Sequence, residues 1–160
     1  MDYIAEHEVG FLKQGIDEKN MNGVDVGCGA RKAIVSAVGL DVARLEDTDL
    51  SAGQITYAEW ICDGHVLPFK DSVMDYVISR HVLEHMNWKK AIIEWLRCLK
   101  IGGVLRSVIP NPNHEHHLGH GIAQIEMLEF LSILDILSSQ IEIVELCDGY
   151  SWGLAIRKRS

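Results

Sequence analysis

The sequence predicts an α/β fold: one mostly parallel sheet with covered faces, ending in an antiparallel strand pair. Three observations predict it. Short apolar runs alternate with helical ones along the chain, the pattern of strands joined by crossovers. Three of the runs stop at a glycine turn or a carboxylate, as strands do at the ligand-bearing edge of such a sheet. The last two runs, Ile141 to Leu146 and Trp152 to Arg157, are joined through Asp148-Gly149-Tyr150-Ser151 as a hairpin would be.

The elements follow in order. Residues 3–20 read as an amphipathic helix with Ile4, Phe11, Leu12 and Ile16 on one face, ending near Asn20-Met21-Asn22-Gly23. Strand one runs into Gly27-Cys28-Gly29-Ala30-Arg31-Lys32, and only Ala30 to Ala33 separate that loop from the second strand, which ends Leu40-Asp41-Val42. A glycine turn followed by a strand-end acid placed for ribose hydroxyls describes a nucleoside pocket. The third strand, Ile55 to Cys62, ends at Asp63, and the fourth, Met74 to Ser79, runs into Arg80-His81. Asn87 is a good N-cap for a helix from Trp88 to about Lys100, with Ile92, Trp95, Leu96 and Leu99 as its buried stripe. A fifth strand closes at Pro110-Asn111, and a third helix, apolar round most of its circumference, spans about Ile122 to Ser139. A parallel crossover usually needs a helix and a dozen or more residues, so the helices after strands one to three are expected to be short or absent. With no repeat, linker or low-complexity segment, one domain is expected: helix 1–21, core 22–111, and a loop, helix and hairpin over 112–160.

Composition narrows the function. The 160 residues carry 15 Lys and Arg against 23 Asp and Glu, a formal net charge of -8. Nucleic-acid binders carry a basic stripe for phosphates; here the one dense basic run, Arg157-Lys158-Arg159, reads as a solvated strand end. Cys28, Cys62, Cys98 and Cys147 form no Cys-x-x-Cys pair, which suits a reducing compartment. The start, Met1 to Glu8, lacks a basic leader, and no run nears the ~20 apolar residues of a membrane span. The expected location is the cytoplasm.

Five motifs stand in a fixed order: Asp25-Val26-Gly27-Cys28-Gly29, Leu40-Asp41-Val42, Asp63-Gly64-His65-Val66-Leu67-Pro68-Phe69, His81-Val82-Leu83-Glu84-His85 and Leu99-Lys100-Ile101-Gly102-Gly103. Together they resemble the class I S-adenosylmethionine-dependent methyltransferases, in particular the small-molecule branch called type 11, over residues 22–111. The resemblance implies a Rossmann-like sandwich whose final hairpin supplies the antiparallel strand, with S-adenosylmethionine as cofactor and S-adenosylhomocysteine as product. The family pattern would place a third glycine at Arg31. That departure fits a missing helix, and the Arg31 guanidinium could hold the cofactor carboxylate in its place, or belong to an exposed Arg-Lys turn.

The cofactor demands acids near its amine and ribose and an acceptor near its adenine amine. Asp25 is expected to orient the loop and meet the amine, or to cap that same turn. Asp41, with Val42 beside it, is assigned the ribose diol, and Gly27, Cys28 and Gly29 form the loop under the ligand. Asp63, with the Gly64 and His65 backbone, is assigned the adenine amine, against the alternative of an Asp-Gly turn. Ser79, Arg80 and His81 would line the methionine end.

Catalysis by in-line displacement needs alignment and, for some acceptors, one base. His116 and His117, ahead of His114 and His120, are the candidates in the loop after strand five, with His81 as the alternative. No metal is assigned: His81-x-x-Glu84-His85 matches an inverted zinc motif but directly follows a strand, and the His114 to His120 cluster has no zinc-module spacing. The expected function is methyl transfer to an oxygen, nitrogen or carbon of a small molecule, without nucleic acid or membrane. The alternatives are a non-catalytic nucleoside-binding or subunit-docking domain, and an enzyme that completes its acceptor pocket as a homodimer.

Overall fold

The computed structural model describes residues 3–42, 56, 58–111, 132, 141–147 and 151–159. Helix α1 (Tyr3–Lys13) leads into β1 (Gly23–Val26), β2 (Val38–Asp41), β3 (Trp60–Ile61) and β4 (Met74–Arg80). A single 3-10 turn (Leu83–His85) precedes α2 (Trp88–Cys98), β5 (Leu99–Pro110), β6 (Ile141–Cys147) and β7 (Ser151–Lys158). The seven strands form one sheet in the order β3-β2-β1-β4-β5-β7-β6. The first five pair in parallel, while β7 runs antiparallel to both β5 and β6, as the hairpin reading required.

Alternation along the strands feeds two cores. Val24, Val77 and Leu105 face α2, whose Ala91, Ile92, Trp95 and Leu96 are buried against them. Tyr76, Ile78, Val104 and Val108 face the other way, onto Leu12 of α1 and the buried Ala33, Ile34 and Ala37. Buried Arg106 of β5 fastens α1, donating to the Phe11 carbonyl at 2.9 Å with its guanidinium 4.9 Å from the Phe11 ring centre. Asn87 caps α2 as expected, its side chain accepting from the Lys90 amide.

Several boundaries differ from the sequence reading. The N-terminal helix stops at Lys13, because Gly15 adopts a left-handed φ of 74° that ends the helix. The second strand begins at Val38: Ile34 is apolar because it is buried under α1 from a turn. The described third strand is only Trp60–Ile61, since just before it the Glu59 carboxylate accepts the Gly39 amide at 2.6 Å in place of a ladder carbonyl. The helix before β5 ends at Cys98, where the chain turns directly into the strand. Residues 27–37 and 62–73 contain no helix, in line with the reduced helices expected after strands one and three, and residues 43–55 of the link after β2 lie outside the described residues. The reading of 122–139 as a helix and the hairpin turn at 148–150 lie outside the described residues. Among the described residues, no helix is long and apolar enough to cross a membrane.

Trp95 joins the core to the site-bearing edge, its buried indole N–H donating to the Gly64 carbonyl at 2.8 Å. Trp95→Phe keeps most of the volume but strands that carbonyl, so urea denaturation should register a loss of about 1 kcal/mol. An unchanged midpoint would show that the carbonyl finds another donor.

Candidate functional site

The site grows from the carboxyl ends of β1, β2 and β4. Where β1 stops, Gly27 and Gly29 take φ of 67° and 52°, a left-handed geometry that turns the chain back along the sheet edge. The Gly27 and Cys28 amides donate to the Leu40 carbonyl at 2.7 and 3.1 Å, which locks the loop to β2. Buried Asp25 closes it from beneath, Oδ2 accepting the Ala33 amide at 2.7 Å. Burial pushes the Asp25 carboxyl up to about 6, against the downward pull of the Ala33 N–H, Arg80 and Lys32. Its observed task is thus the cap of the loop.

Asp41 stands at the end of β2, partly buried. Oδ2 accepts the Gly29 amide at 2.9 Å and Oδ1 accepts the Val42 amide at 2.8 Å. The carboxylate is therefore oriented by the glycine loop itself. Thr56 Oγ1 also donates to Oδ2, at 3.4 Å.

A cleft of about 210 Å³ opens between this loop and β4, lined by Asp25, Gly27 to Arg31, Ala33, Arg80 and His81. Where Gly29 would carry a Cβ there is no protein atom within 4 Å. Cys28 lines the cleft as a thiol: burial and the nearby Asp25 and Asp41 charges push it up to about 12, so it offers no nucleophile. Exposed Arg31 reaches the cleft from the loop.

The structure separates other candidates from this cleft. Ser79 is fully buried, its hydroxyl 2.7 Å from that of Ser107 across β4 and β5, so its side chain does not line the methionine end. Asp41, at the far side of the glycine loop, Asp63 and His65 are not among the residues that line the cleft; Asp63 Oδ1 accepts both the amide and Nδ1–H of His65, at 2.8 and 2.6 Å. His65 Nε2 in turn accepts the Asn87 amide at 3.0 Å. Asp63 thus caps the turn that follows β3, which His65 ties to the N-terminus of α2, and the Gly64 backbone beneath it is buried against Met86 and Val26. Exposed Val42 contributes its backbone to Asp41.

His81 requires a correction. It adopts φ of 55°, with Nε2 2.9 Å from the Oε1 of buried Glu8 and Nδ1 3.6 Å from the buried Glu84 carboxylate. The second distance is a charge contact rather than a hydrogen bond. Burial works against its charge, but the Glu8 hydrogen bond and the two carboxylates prevail, and His81 is raised to about 9. Both ring nitrogens are thus engaged by carboxylates, Nε2 by Glu8 and Nδ1 beside Glu84, which favours the charged imidazolium over a proton-accepting imidazole. Nor do His81, Glu84 and His85 share the helix an inverted zinc motif needs: they occupy a strand end and one 3-10 turn. His114, His116, His117 and His120 lie outside the described residues.

Glu8, from α1, and Ser151, from β7, are site neighbours absent from the sequence reading. The Ser151 hydroxyl donates to Glu8 Oε1 at 2.6 Å, and that bond and His81 together hold the Glu8 carboxyl below its ordinary value despite burial. The available signal was an acid between Ile4 and Leu12 on the apolar face of a helix.

The His81 cluster sets a pH dependence. The folded value exceeds the ordinary 6.5, so its stabilisation is complete below pH 6.5 and disappears as the pH rises through about 9. Chemical denaturation across that window should show stability falling for the native protein and a flatter profile for Glu8→Gln. Identical slopes would mean that Glu8 does not govern the imidazole.

This arrangement, a glycine loop and a strand-end carboxylate on a 3-2-1-4-5-7-6 sheet, is the class I S-adenosylmethionine-dependent methyltransferase fold. The chain belongs to the methyltransferase-domain family of type 11, whose pattern it matches over residues 24–107. It superposes on a chain of the complex between the Haloferax volcanii Trm112 methyltransferase activator and its methyltransferase partner with a TM-score of 0.73, at 16% identity, covering 98% of this chain and 89% of that one. Geranyl diphosphate C-methyltransferase from Streptomyces coelicolor, solved with S-adenosylhomocysteine, gives a TM-score of 0.73 at 12% identity, covering 96% and 79%. In sequence, an uncharacterised protein of Methanocaldococcus jannaschii is 49% identical over 45 residues, 28% of this chain and one fifth (20%) of that protein's length.

Proposed function

We propose that this protein transfers a methyl group from S-adenosylmethionine to an oxygen, nitrogen or carbon atom of a small-molecule acceptor. The observation that carries the reading is Asp41, whose two oxygens are aimed by the Gly29 and Val42 amides beside an open glycine loop. The donor set fits the cofactor. A fixed carboxylate suits the ribose diol, Gly29 leaves room for a ligand against the backbone, and Arg31 and Arg80 supply donors for a carboxylate.

When bound, the cofactor supplies an electrophilic methyl group on a sulfonium. The residues of the chain bind and orient. Asp25 caps the loop, Asp41 fixes the nucleoside, and Glu8 with Glu84 keeps His81 charged and still. A base, if the acceptor needs one, falls to His116 or His117 in this reading. The net charge of -8 favours small acceptors over nucleic acid.

Calorimetry with S-adenosylmethionine and S-adenosylhomocysteine tests the reading. Saturable binding of both at one site per chain is expected. No heat and no thermal shift with either would overturn it.

A second reading, a methyltransferase that works with a protein subunit, is favoured by the exposed edge of the sheet. Trp60 and Ile61 of β3, which pairs with β2 at the edge of the described sheet, are 51% and 40% exposed, and the Haloferax structure was solved with an activator protein. Trp60→Lys should then leave cofactor binding intact and abolish only partner-dependent turnover. Light scattering shows whether a second copy takes that edge instead.

A further inference from the structure

Of the two described non-glycine residues with a left-handed backbone, Ser72 and His81, it is His81 that lines the cleft. A Cβ in that conformation crowds the backbone, so the surroundings must hold the turn in place. The His81 amide donates to the Val108 carbonyl at 2.9 Å, and its ring is gripped by the Glu8 carboxylate, also at 2.9 Å.

The turn matters to the glycine loop. Val82, the next residue, fills with its Cγ2 the space that a Cβ on Gly27 would take. The backbone of His81 therefore sets where Val82 meets the first glycine of the loop. Glu8 comes from α1, ahead of residues 24–107 that match the family pattern. Its buried carboxylate is steadied by the Ser151 hydroxyl at the start of β7. The far end of α1 is anchored separately, by buried Leu12 and by Arg106 on the Phe11 carbonyl. Glu8 is thus where α1 meets the cleft wall.

We infer that docking of α1 and binding of the cofactor are coupled through Glu8, a positioning residue that holds the left-handed turn at His81 and so seats Val82 on Gly27. The coupling rests on the cofactor reading above. A ligand that needs the seated loop stabilises the docked helix, and by linkage the docked helix strengthens the ligand by the same factor. Charge is a separate route: Glu8 also feels Arg80, and His81 Nδ1 lies 3.6 Å from the Glu84 carboxylate.

Glycine adopts the left-handed turn without strain, so placing it at position 81 removes the need for Glu8 and gives a double-mutant cycle. S-adenosylhomocysteine is titrated calorimetrically into the native protein, Glu8→Ala, His81→Gly and the double variant. Glu8→Ala should weaken binding about 5- to 30-fold on its own and less than about twofold when added to His81→Gly. Glu8→Gln, which can still hydrogen-bond the ring, should recover most of the loss. An equal loss with and without His81→Gly would show Glu8 acting through charge and not through the turn. No loss in either would remove Glu8 from the site. Each of these results overturns the proposal.

Hydrogen exchange on the native protein decides the point even where Glu8→Ala does not fold. Saturating S-adenosylhomocysteine should slow the amides of α1 about tenfold more than those of β6, at the far end of the sheet. Equal change in the two elements overturns the coupling. Failure of the native protein to bind S-adenosylhomocysteine at all would strike the cofactor reading itself, and the coupling with it.

Discussion

Replacing Gly27 with alanine should cost about 2–5 kcal/mol of folding stability and leave the protein unable to bind its cofactor. Two effects add. The residue holds φ of 67°, where a Cβ crowds the backbone, and the new methyl would collide with Cγ2 of Val82, a stiff branched side chain. Relief requires the loop to lift from β4, which pulls on the Gly27 and Cys28 amides and the Leu40 carbonyl they share. Gly29→Ala is the control. It has the same hand of backbone, φ 52°, but its Cβ would enter open space, so it should lose only the backbone-strain part, about 1–2 kcal/mol, while ligand affinity drops. Thermal denaturation of the free proteins separates the two. If Gly29→Ala proves the less stable, the loop packs differently from this description.

Asp41→Ala should weaken S-adenosylhomocysteine and adenosine alike, by about 1.5–3 kcal/mol, because the ribose diol is common to both and a charge-assisted pair of hydrogen bonds is lost. The equality is the diagnostic feature. A residue of the methionine end would spare adenosine. Asp41→Asn should rescue little: the carboxylate accepts an N–H at each oxygen, from Gly29 and from Val42, and an amide can accept only one and turns a donor toward the other. Calorimetry on the two variants decides the point. Full affinity in either one removes Asp41 from the site.

Much of this site was legible in the chain because its key parts are local. Glycines that need a left-handed φ, and an acid one strand later, are short-range signals, and the parallel order of β1, β2 and β4 brings them to one edge automatically. The sequence is less able to separate two uses of one residue. Asp63 followed by glycine fits an adenine acceptor and a capped turn equally well, and only the position of His65, itself fixed by the Asn87 amide, shows the turn occupied. Ser79 looked like a site residue by place; the phase of the strand buries its hydroxyl against Ser107.

By itself, then, the sequence determined the alternation of strands and helices, the closing antiparallel pair, the lean links after β1 and β3, and the glycine loop with Asp41. Periodicity and backbone preference act within a few residues, so a single chain displays them. Tertiary structure alone decided the partners of charge. Glu8 lies 73 residues from His81 and 143 from Ser151, and no local rule brings them within hydrogen-bonding distance. Once folded together in a partly dry space they shift the imidazole toward its protonated form. Charge state and availability are properties of the assembled environment, which is why they could not be read from residue type.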